Sequence, residues 1–205
     1  VIDTLLYIAI GPYGLWIYNV ANPYAPVRLG TCDTEDAIGV AVSGNYAYVA
    51  DYDSGLVIID ISQPSVPVKV GSLYMGGCAR DVAVLDTFAY VAARKLHIVN
   101  IANPLSPLLI DTWNPHGGNE DIMQVAVQGN FVYLANFFLG FWIVDVTNPQ
   151  SPVSADSIFH GLALDITVNG NYAYGAADER GIVIINIMDP YNTYIEDTLN
   201  TPASA

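Results

Sequence analysis

Short apolar runs separated by tight polar turns recur along the whole chain. Residues 39–42 read GVAV, and similar runs follow at 46–50 and 56–61. Runs of four to six residues without helical spacing predict β-strands, and the nearly continuous apolar third run predicts a strand covered on both faces. A proline-rich link and a further strand come next. The pattern therefore indicates an all-β chain built from groups of four strands, here called A to D.

This group repeats along the sequence at a nearly constant spacing. A tyrosine of strand B returns at steps of 41, 42, 43 and 41 residues, as Tyr7, Tyr48, Tyr90, Tyr133 and Tyr174. Five units of this length are typical of β-propeller blades, each a four-stranded antiparallel sheet. We predict a single β-propeller segment over residues 1–205. Its units lie at approximately 1–42, 43–84, 85–127, 128–168 and 169–205.

The first unit differs from the others at its start. Alignment of VIDTLLYIA (1–9) with VLDTFAYVA (84–92) makes Val1 the last residue of a strand A that is otherwise absent. Strand A is the innermost strand of a blade and has the most to bury. We therefore expect this segment to be part of a larger propeller, or the missing strand to come from outside the segment.

Strand C contains a polar residue, always Asp or Asn, in every unit. These residues are Asn19, Asp60, Asn100, Asp145 and Asn186. Asp and Asn side chains readily accept backbone N–H groups of the following turn. A ring of five such residues also fits a metal site, but their fixed spacing to the next X-Pro turn favours the local structural role.

The strand C segments and their links resemble a known family. GLVIIDISQPSVPV (55–68) and FWIVDVTNPQSPV (141–153) are similar to the LVIVD repeat of bacterial and archaeal β-propeller proteins. Such proteins are commonly exported or attached to the cell surface, so the resemblance implies an extracellular location. It supplies no shared catalytic residue. The fifth unit departs from the pattern, with Thr193 where the second proline of the link is expected.

Composition narrows the classes of partner. The chain is 53% hydrophobic and carries 20 acidic residues against 6 Lys and Arg, for a net charge of −14. This excess of negative charge disfavours nucleic acids and anionic membrane surfaces. No apolar run reaches the ~18 residues of a membrane helix, so we expect no membrane insertion by this segment. Cys32 and Cys78 lack metal-site spacing, and their pairing in a disulfide is left open.

The turns between strands B and C vary from unit to unit, and they carry aromatic residues. Tyr13, Tyr52, Phe137 and Phe138 lie near the tips of these turns. Exposed aromatic rings stack on sugars or anchor protein partners, although such rings can also fold back over neighbouring blades. Two adjacent rings cannot easily both turn inward from one short loop. Phe137 and Phe138 therefore predict a partner contact.

The links from strand D to the next strand A emerge at the same end and carry most of the ionisable candidates. These are Asp33, Glu35, Asp36, Arg80, His116, Glu120, Asp121 and His160. Histidines and carboxylates could form a metal site or an acid–base pair, and the alternative is a solvated acidic rim. DYDSG (51–55), which includes Asp53, and GGNED (117–121) resemble fragments of calcium loops without completing the motif.

These features together predict a non-enzymatic module. We expect an extracellular or cell-surface β-propeller that binds a protein or a glycan or has a structural role. Unpaired strand edges would favour self-assembly. No catalytic residue is assigned, and calcium is the only cofactor with any support. The alternative is a metal-dependent hydrolase or lyase that uses His116, His160 and nearby acids in the central funnel.

Overall fold

A computed structural model describes residues 2–114, 121–159, 161–178 and 181–201. These residues form five antiparallel sheets and no α-helix. Blade 1 holds β1 (Leu5–Ala9), β2 (Leu15–Asn19) and β3 (Val27–Cys32). Blade 2 holds β4 (Ala37–Ser43), β5 (Tyr46–Asp51), β6 (Gly55–Asp60) and β7 (Val68–Leu73). Blade 3 holds β8 (Asp81–Leu85), β9 (Phe88–Ala92), β10 (Leu96–Asn100) and β11 (Leu108–Trp113). Blade 4 holds β12 (Ile122–Gln128), β13 (Phe131–Asn136), β14 (Gly140–Asp145) and β15 (Val153–Ile158). Blade 5 holds β16 (Ala163–Asn169), β17 (Tyr172–Ala177), β18 (Gly181–Asn186) and β19 (Tyr194–Leu199).

The predicted fold class is confirmed. The chain is all-β and consists of antiparallel blades whose strands A, B and C lie where the sequence pattern places them. Blades 2 to 5 have four strands, and blade 1 has three among the described residues because its first strand, β1, corresponds to strand B. None of the described residues forms a helix long and apolar enough to cross a lipid bilayer.

The chain divides into two compact units. Unit 1 contains Val1–Val91 and Val99–Leu109, and unit 2 contains Ala92–Ile98 and Ile110–Ala205. Blades 1 and 2 belong to unit 1, blades 4 and 5 belong to unit 2, and blade 3 contributes residues to both.

Within each unit, one face of a blade packs against the opposite face of the next blade in the sequence. In unit 1, Leu15 and Ile17 of blade 1 share a buried cluster with Val49 and Val57 of blade 2. These four side chains are fully buried, and burial of one such aliphatic side chain contributes roughly 1.5–3 kcal/mol. Apolar packing between successive blades within a unit therefore stabilises that unit.

The contact between blades 4 and 5 uses a complementary pair of side-chain sizes. Phe141 of β14 is fully buried, and its ring lies against Gly175 of β17. A Cβ atom added to Gly175 would lie 2.3 Å from the Phe141 ring. The corresponding residue in β5 is Val49, and its neighbouring blade carries the smaller Leu15. The large Phe141 ring of blade 4 thus requires a residue without a side chain, Gly175, in blade 5.

The polar residues that end strand C have the predicted local role. Each accepts the backbone N–H two residues later through its side-chain oxygen, at distances of 2.7–3.1 Å. The residues are Asn19, Asp60, Asn100, Asp145 and Asn186. These side chains therefore fix the start of each X-Pro turn, which explains why only Asp and Asn occur there.

Candidate binding face

The B–C turns and the D–A links are joined by backbone hydrogen bonds. In blade 2, the N–H of Tyr52 donates to the carbonyl of Asp36 at 2.8 Å. The N–H of Ala79, in the link that leads to blade 3, donates to the carbonyl of Tyr52 at 3.1 Å. The turn is therefore held by the links on both sides of it. Within each unit, we call the surface formed by these turns and links the loop face of that unit.

A buried carboxylate anchors the loop face of unit 1. Asp51, the last residue of β5, has no solvent exposure. Its Oδ2 accepts the backbone N–H groups of Glu35 at 3.0 Å and Asp36 at 3.2 Å, and its Oδ1 accepts that of Ser54 at 3.3 Å. One side chain thus ties the D–A link to the B–C turn. Asp51 therefore anchors the loop face through these three hydrogen bonds.

The aromatic residue in the middle of that turn is not fully exposed. Tyr52 is half-buried, and the guanidinium carbon of Arg80 lies 5.7 Å from its ring centroid. A cation over an aromatic face is a favourable contact. Asp53, the next residue, is exposed. Tyr52 therefore folds back against its neighbours, whereas Asp53 points to solvent.

Tyr13 lies on the turn of blade 1 and is 63% exposed. The indole N–H of Trp16 donates to its carbonyl at 3.1 Å, and the two rings make an edge-to-face contact at 6.3 Å. Trp16 in turn lies against Tyr18 and under the guanidinium of Arg28, at 4.6 Å. Tyr13 is thus the exposed end of an aromatic row along blade 1, and only Tyr13 was predicted from the sequence.

A buried amide has the anchoring role in unit 2. Asn136, the last residue of β13, is 1% exposed, and its Oδ1 accepts the N–H groups of Phe138 and Leu139, both at 3.1 Å. The N–H of Phe137 donates to the carbonyl of Asp121 at 2.8 Å. The turn that carries both phenylalanines is therefore held at several points.

The two phenylalanines lie at different depths. Their rings meet edge to face, with centroids 4.9 Å apart and an interplanar angle of 88°. Phe137 is half-buried, and Phe138 is 58% exposed. The inner ring supports the outer one, so a large apolar side chain is presented to solvent on a fixed turn.

Sequence comparison did not single out two further exposed aromatic residues of the loop face. Tyr74 follows β7 and is 73% exposed, and Phe159 follows β15 and is 74% exposed. They occupy the same place in their units, directly after the last residue of strand D. The other three units carry Asp33, Asn114 and Asn200 at this place, so the repeat gives no signal that could have identified the two aromatic residues.

The histidines of the enzyme alternative cannot be placed. His116, Glu120 and His160 lie outside the described residues. Asp121 is described, and its carbonyl accepts the N–H of Phe137. Across the parts of the chain that are described, no group of three or more His, Cys, Asp or Glu residues could hold a metal ion.

The third histidine, His97, and the two cysteines, Cys32 and Cys78, are buried or partly buried. His97 in β10 is buried, and desolvation lowers its pKa below the usual value of a histidine. Its Nδ1 has no hydrogen-bond partner. Both cysteines carry free thiols, and burial raises the pKa of Cys32.

The opposite end of the blades also exposes an aromatic residue. Tyr24, in the C–D turn of blade 1, is 96% exposed, more than Tyr13, Tyr74, Phe138 or Phe159 of the loop face. Its turn is fixed by the side chain of Asn22, which accepts the N–H of Tyr24 at 3.1 Å. Exposure alone therefore does not separate the two ends of the blades.

Solved structures with a similar fold include designed and natural proteins. The computationally designed Ika8 protein is 11% identical with a TM-score of 0.71, and the match covers 91% of this chain and 57% of Ika8. A functionally unknown protein from Desulfotomaculum acetoxidans DSM 771 is 11% identical with a TM-score of 0.79, over 97% of this chain and 67% of that protein. The designed Ika4 protein is 12% identical with a TM-score of 0.58, over 72% of this chain and 89% of Ika4. These matches show the fold alone, and this chain spans little more than half of Ika8.

No curated protein sequence matches the chain. The model of the LVIVD repeat matches it four times, at residues 36–74, 76–114, 120–158 and 160–200. These matches cover blades 2 to 5 and most of the sequence. The chain therefore belongs to the LVIVD repeat family.

Proposed function

We propose that this chain is a non-enzymatic interaction module outside the cell or at its surface, and that the loop face of unit 2 binds a protein partner. The observation that carries this proposal is the turn of Phe137 and Phe138. Asn136 holds the turn from a buried position, and Phe138 is presented to solvent on it. A large apolar side chain on a rigid support is typical of an anchor residue in a protein interface.

The exposed aromatic side chains of the unit 2 loop face favour a protein partner over a glycan. Phe138 and Phe159 have no hydrogen-bonding groups on their side chains, and both are more than half exposed. Apolar rings of this kind fit a partner's apolar pocket, whereas sugars also require polar groups beside the ring. An extracellular location rests on the family resemblance and on the acidic, Lys-poor composition.

The enzyme alternative has no support from the described residues, since its histidines lie outside them. Calcium also stays a prediction. A rise in melting temperature with calcium but not with magnesium would be its test.

The proposal is tested by comparing variants on opposite ends of the blades. Wild-type protein, Phe138→Ser and Tyr24→Ser would be immobilised and exposed to detergent-solubilised envelope proteins and to a microbial glycan array. Tyr24 is the matched control because it is an exposed aromatic residue on a turn held by an Asn side chain. We expect Phe138→Ser to weaken binding of captured proteins at least ~10-fold, the range of an interface anchor, and Tyr24→Ser to leave it unchanged.

Three results would contradict the proposal. Equal protein binding by all three forms would exclude a role of Phe138, and loss with Tyr24→Ser alone would place the interface at the opposite end. Binding to glycans that Phe138→Ser abolishes, without protein capture, would replace the protein partner with a glycan.

A further inference from the structure

Blades 2 and 4 present the same arrangement on their loop faces with different side chains. In each blade, a B–C turn follows a buried anchor residue, and an aromatic residue comes directly after strand D. The side chains of blade 2 include two hydroxyls and a carboxylate, whereas those of blade 4 have no hydrogen-bonding groups. The residues at these three positions are Tyr52, Asp53 and Tyr74 in blade 2, and Phe137, Phe138 and Phe159 in blade 4. The two blades therefore suit ligands of different chemistry.

The link after β7 runs along the B–C turn of the same blade. Gly55, the first residue of β6, is buried, and a Cβ atom added to it would lie 3.3 Å from the Cα atom of Tyr74. Further along the link, the N–H of Ala79 donates to the carbonyl of Tyr52 at 3.1 Å. Tyr52 and Tyr74 therefore belong to one surface, although they are far apart in the sequence.

Two glycines leave room beside this turn. Gly76 and Gly77 have φ values of 87° and 80°, a left-handed conformation that residues with a Cβ atom rarely adopt. A Cβ added to Gly76 would meet no atom of the described residues within 4 Å, apart from its chain neighbours. A Cβ added to Gly77 would lie 4.0 Å from Oδ1 of Asp53. The link therefore leaves open space next to the Asp53 carboxylate.

The side chains around this space are exposed or supported by their neighbours. Tyr74 is 73% exposed, and Asp53 is exposed on a turn that the buried Asp51 holds. Tyr52 is half-buried, with the guanidinium of Arg80 over its ring. An exposed ring, a supported ring and an exposed carboxylate thus lie on segments that hydrogen bonds hold in place.

These groups match the two kinds of surface on a pyranose sugar. The C–H face of a pyranose packs on an aromatic ring, and its hydroxyls require a few well-placed polar groups. A carboxylate such as that of Asp53 accepts hydrogen bonds from two hydroxyls. The surrounding charge is negative, since the neighbouring link contributes Glu35 and Asp36 and the chain carries −14 overall. This charge disfavours sugars that bear carboxylate or sulfate groups.

We propose that the loop face of unit 1 binds a neutral glycan at a site formed by Tyr74, Asp53 and Tyr52. Tyr74 stacks on a pyranose ring, Asp53 accepts hydrogen bonds from its hydroxyls, and Tyr52, held by Arg80, borders the site. This site shares no residue with the turn of Phe138, which belongs to unit 2. The glycan site and the protein-binding turn are therefore tested separately.

The test measures glycan binding by the full chain and by four variants. Wild-type protein is applied to an array of neutral oligosaccharides of glucose, galactose, mannose and N-acetylglucosamine, together with uronate-bearing and sulfated oligosaccharides. Isothermal titration calorimetry then gives the dissociation constant of the neutral oligosaccharide that binds most strongly. We expect Tyr74→Ala and Asp53→Ala each to weaken this binding at least ~10-fold, and Tyr74→Phe, which keeps the ring, to weaken it less than ~3-fold.

The matched control is Tyr24→Ala, because Tyr24 is an exposed tyrosine of the same unit on a C–D turn. We expect this variant to bind the oligosaccharide as the wild type does. Tyr74, Asp53 and Tyr24 are all exposed, so their replacement should lower the melting temperature by no more than about 2 °C. Weaker binding at an unchanged melting temperature therefore reports a lost contact with the glycan rather than unfolding.

Several results would overturn the proposal. Binding to none of the neutral oligosaccharides, or only to uronate-bearing and sulfated ones, would exclude a neutral glycan as the ligand. Equal affinity of the wild type, Tyr74→Ala and Asp53→Ala would place the glycan elsewhere on the chain, and weakening by Tyr24→Ala alone would place it at the C–D turns. A Tyr74→Phe variant as weak as Tyr74→Ala would contradict stacking on the ring.

Discussion

Replacement of Asp51 by alanine should strongly destabilise the chain. The carboxylate is fully buried and accepts three backbone N–H groups, from Glu35, Asp36 and Ser54. A hydrogen bond to a charged group contributes about 1.5–3 kcal/mol, and the donors left behind lose their partner inside the protein. Allowing for water entering the vacated space, we expect a loss of roughly 3–5 kcal/mol. This is a large share of the ~5–15 kcal/mol that stabilises a typical domain.

Two further variants separate this mechanism from a general effect of mutation. Asp51→Asn keeps one acceptor oxygen, as Asn136 does in blade 4, so we expect about half of the loss. Asp53→Ala changes an exposed acid two residues away, and we expect less than ~0.5 kcal/mol.

Urea unfolding followed by far-ultraviolet circular dichroism measures these free energies. The anchoring role of Asp51 would be refuted if alanine cost less than ~1 kcal/mol, or if asparagine cost as much as alanine. A large effect of Asp53→Ala would indicate that the charge of the turn matters rather than the buried hydrogen bonds.

Three further predictions concern single positions. Gly175→Ala should cost about 1–3 kcal/mol in urea unfolding because its Cβ meets the Phe141 ring, and Phe141→Leu should recover part of the loss in the double variant. His97 is buried with a lowered pKa, so the unfolded chain binds a proton that the folded chain does not as the pH falls through about 6.5. Stability should therefore fall below that pH, and His97→Val should remove this dependence in melting curves between pH 5 and 8. Asp86 has a φ of 53°, and Asp86→Gly should raise the melting temperature by a few degrees, since glycine adopts this conformation without strain; a lower melting temperature would contradict this account of the turn.

The repeat allowed most of the fold to be predicted from the sequence. An alignment of the five sequence units shows which positions are apolar in each unit, and these positions lie in the strands. The Asp or Asn that ends strand C was predicted with its role because its partner lies only two residues away. Local hydrogen bonds of this kind depend on sequence spacing and are the same in each unit.

The same alignment of the units did not predict the buried residues that anchor the loop face, Asp51 and Asn136. Asp51 and Asn136 correspond to Ile10, Ala93 and Ala177 in the other units, so no repeated signal marks the position. Their partners include residues such as Glu35, which is 16 residues away, and the path of the D–A link decides this contact. The depth of an aromatic ring also depends on that path.

Which end of the blades meets a partner is the central question about function. Hydroxyl-radical footprinting of the chain, alone and with a bound envelope protein, measures the protection of each exposed side chain. Leu105, in the C–D turn of blade 3, is 67% exposed. We predict that the partner protects Phe138 and Phe159 and leaves Tyr24 and Leu105 as reactive as in the free chain. Protection of Tyr24 and Leu105 with unchanged Phe138 and Phe159 would contradict the assignment of binding to the loop face.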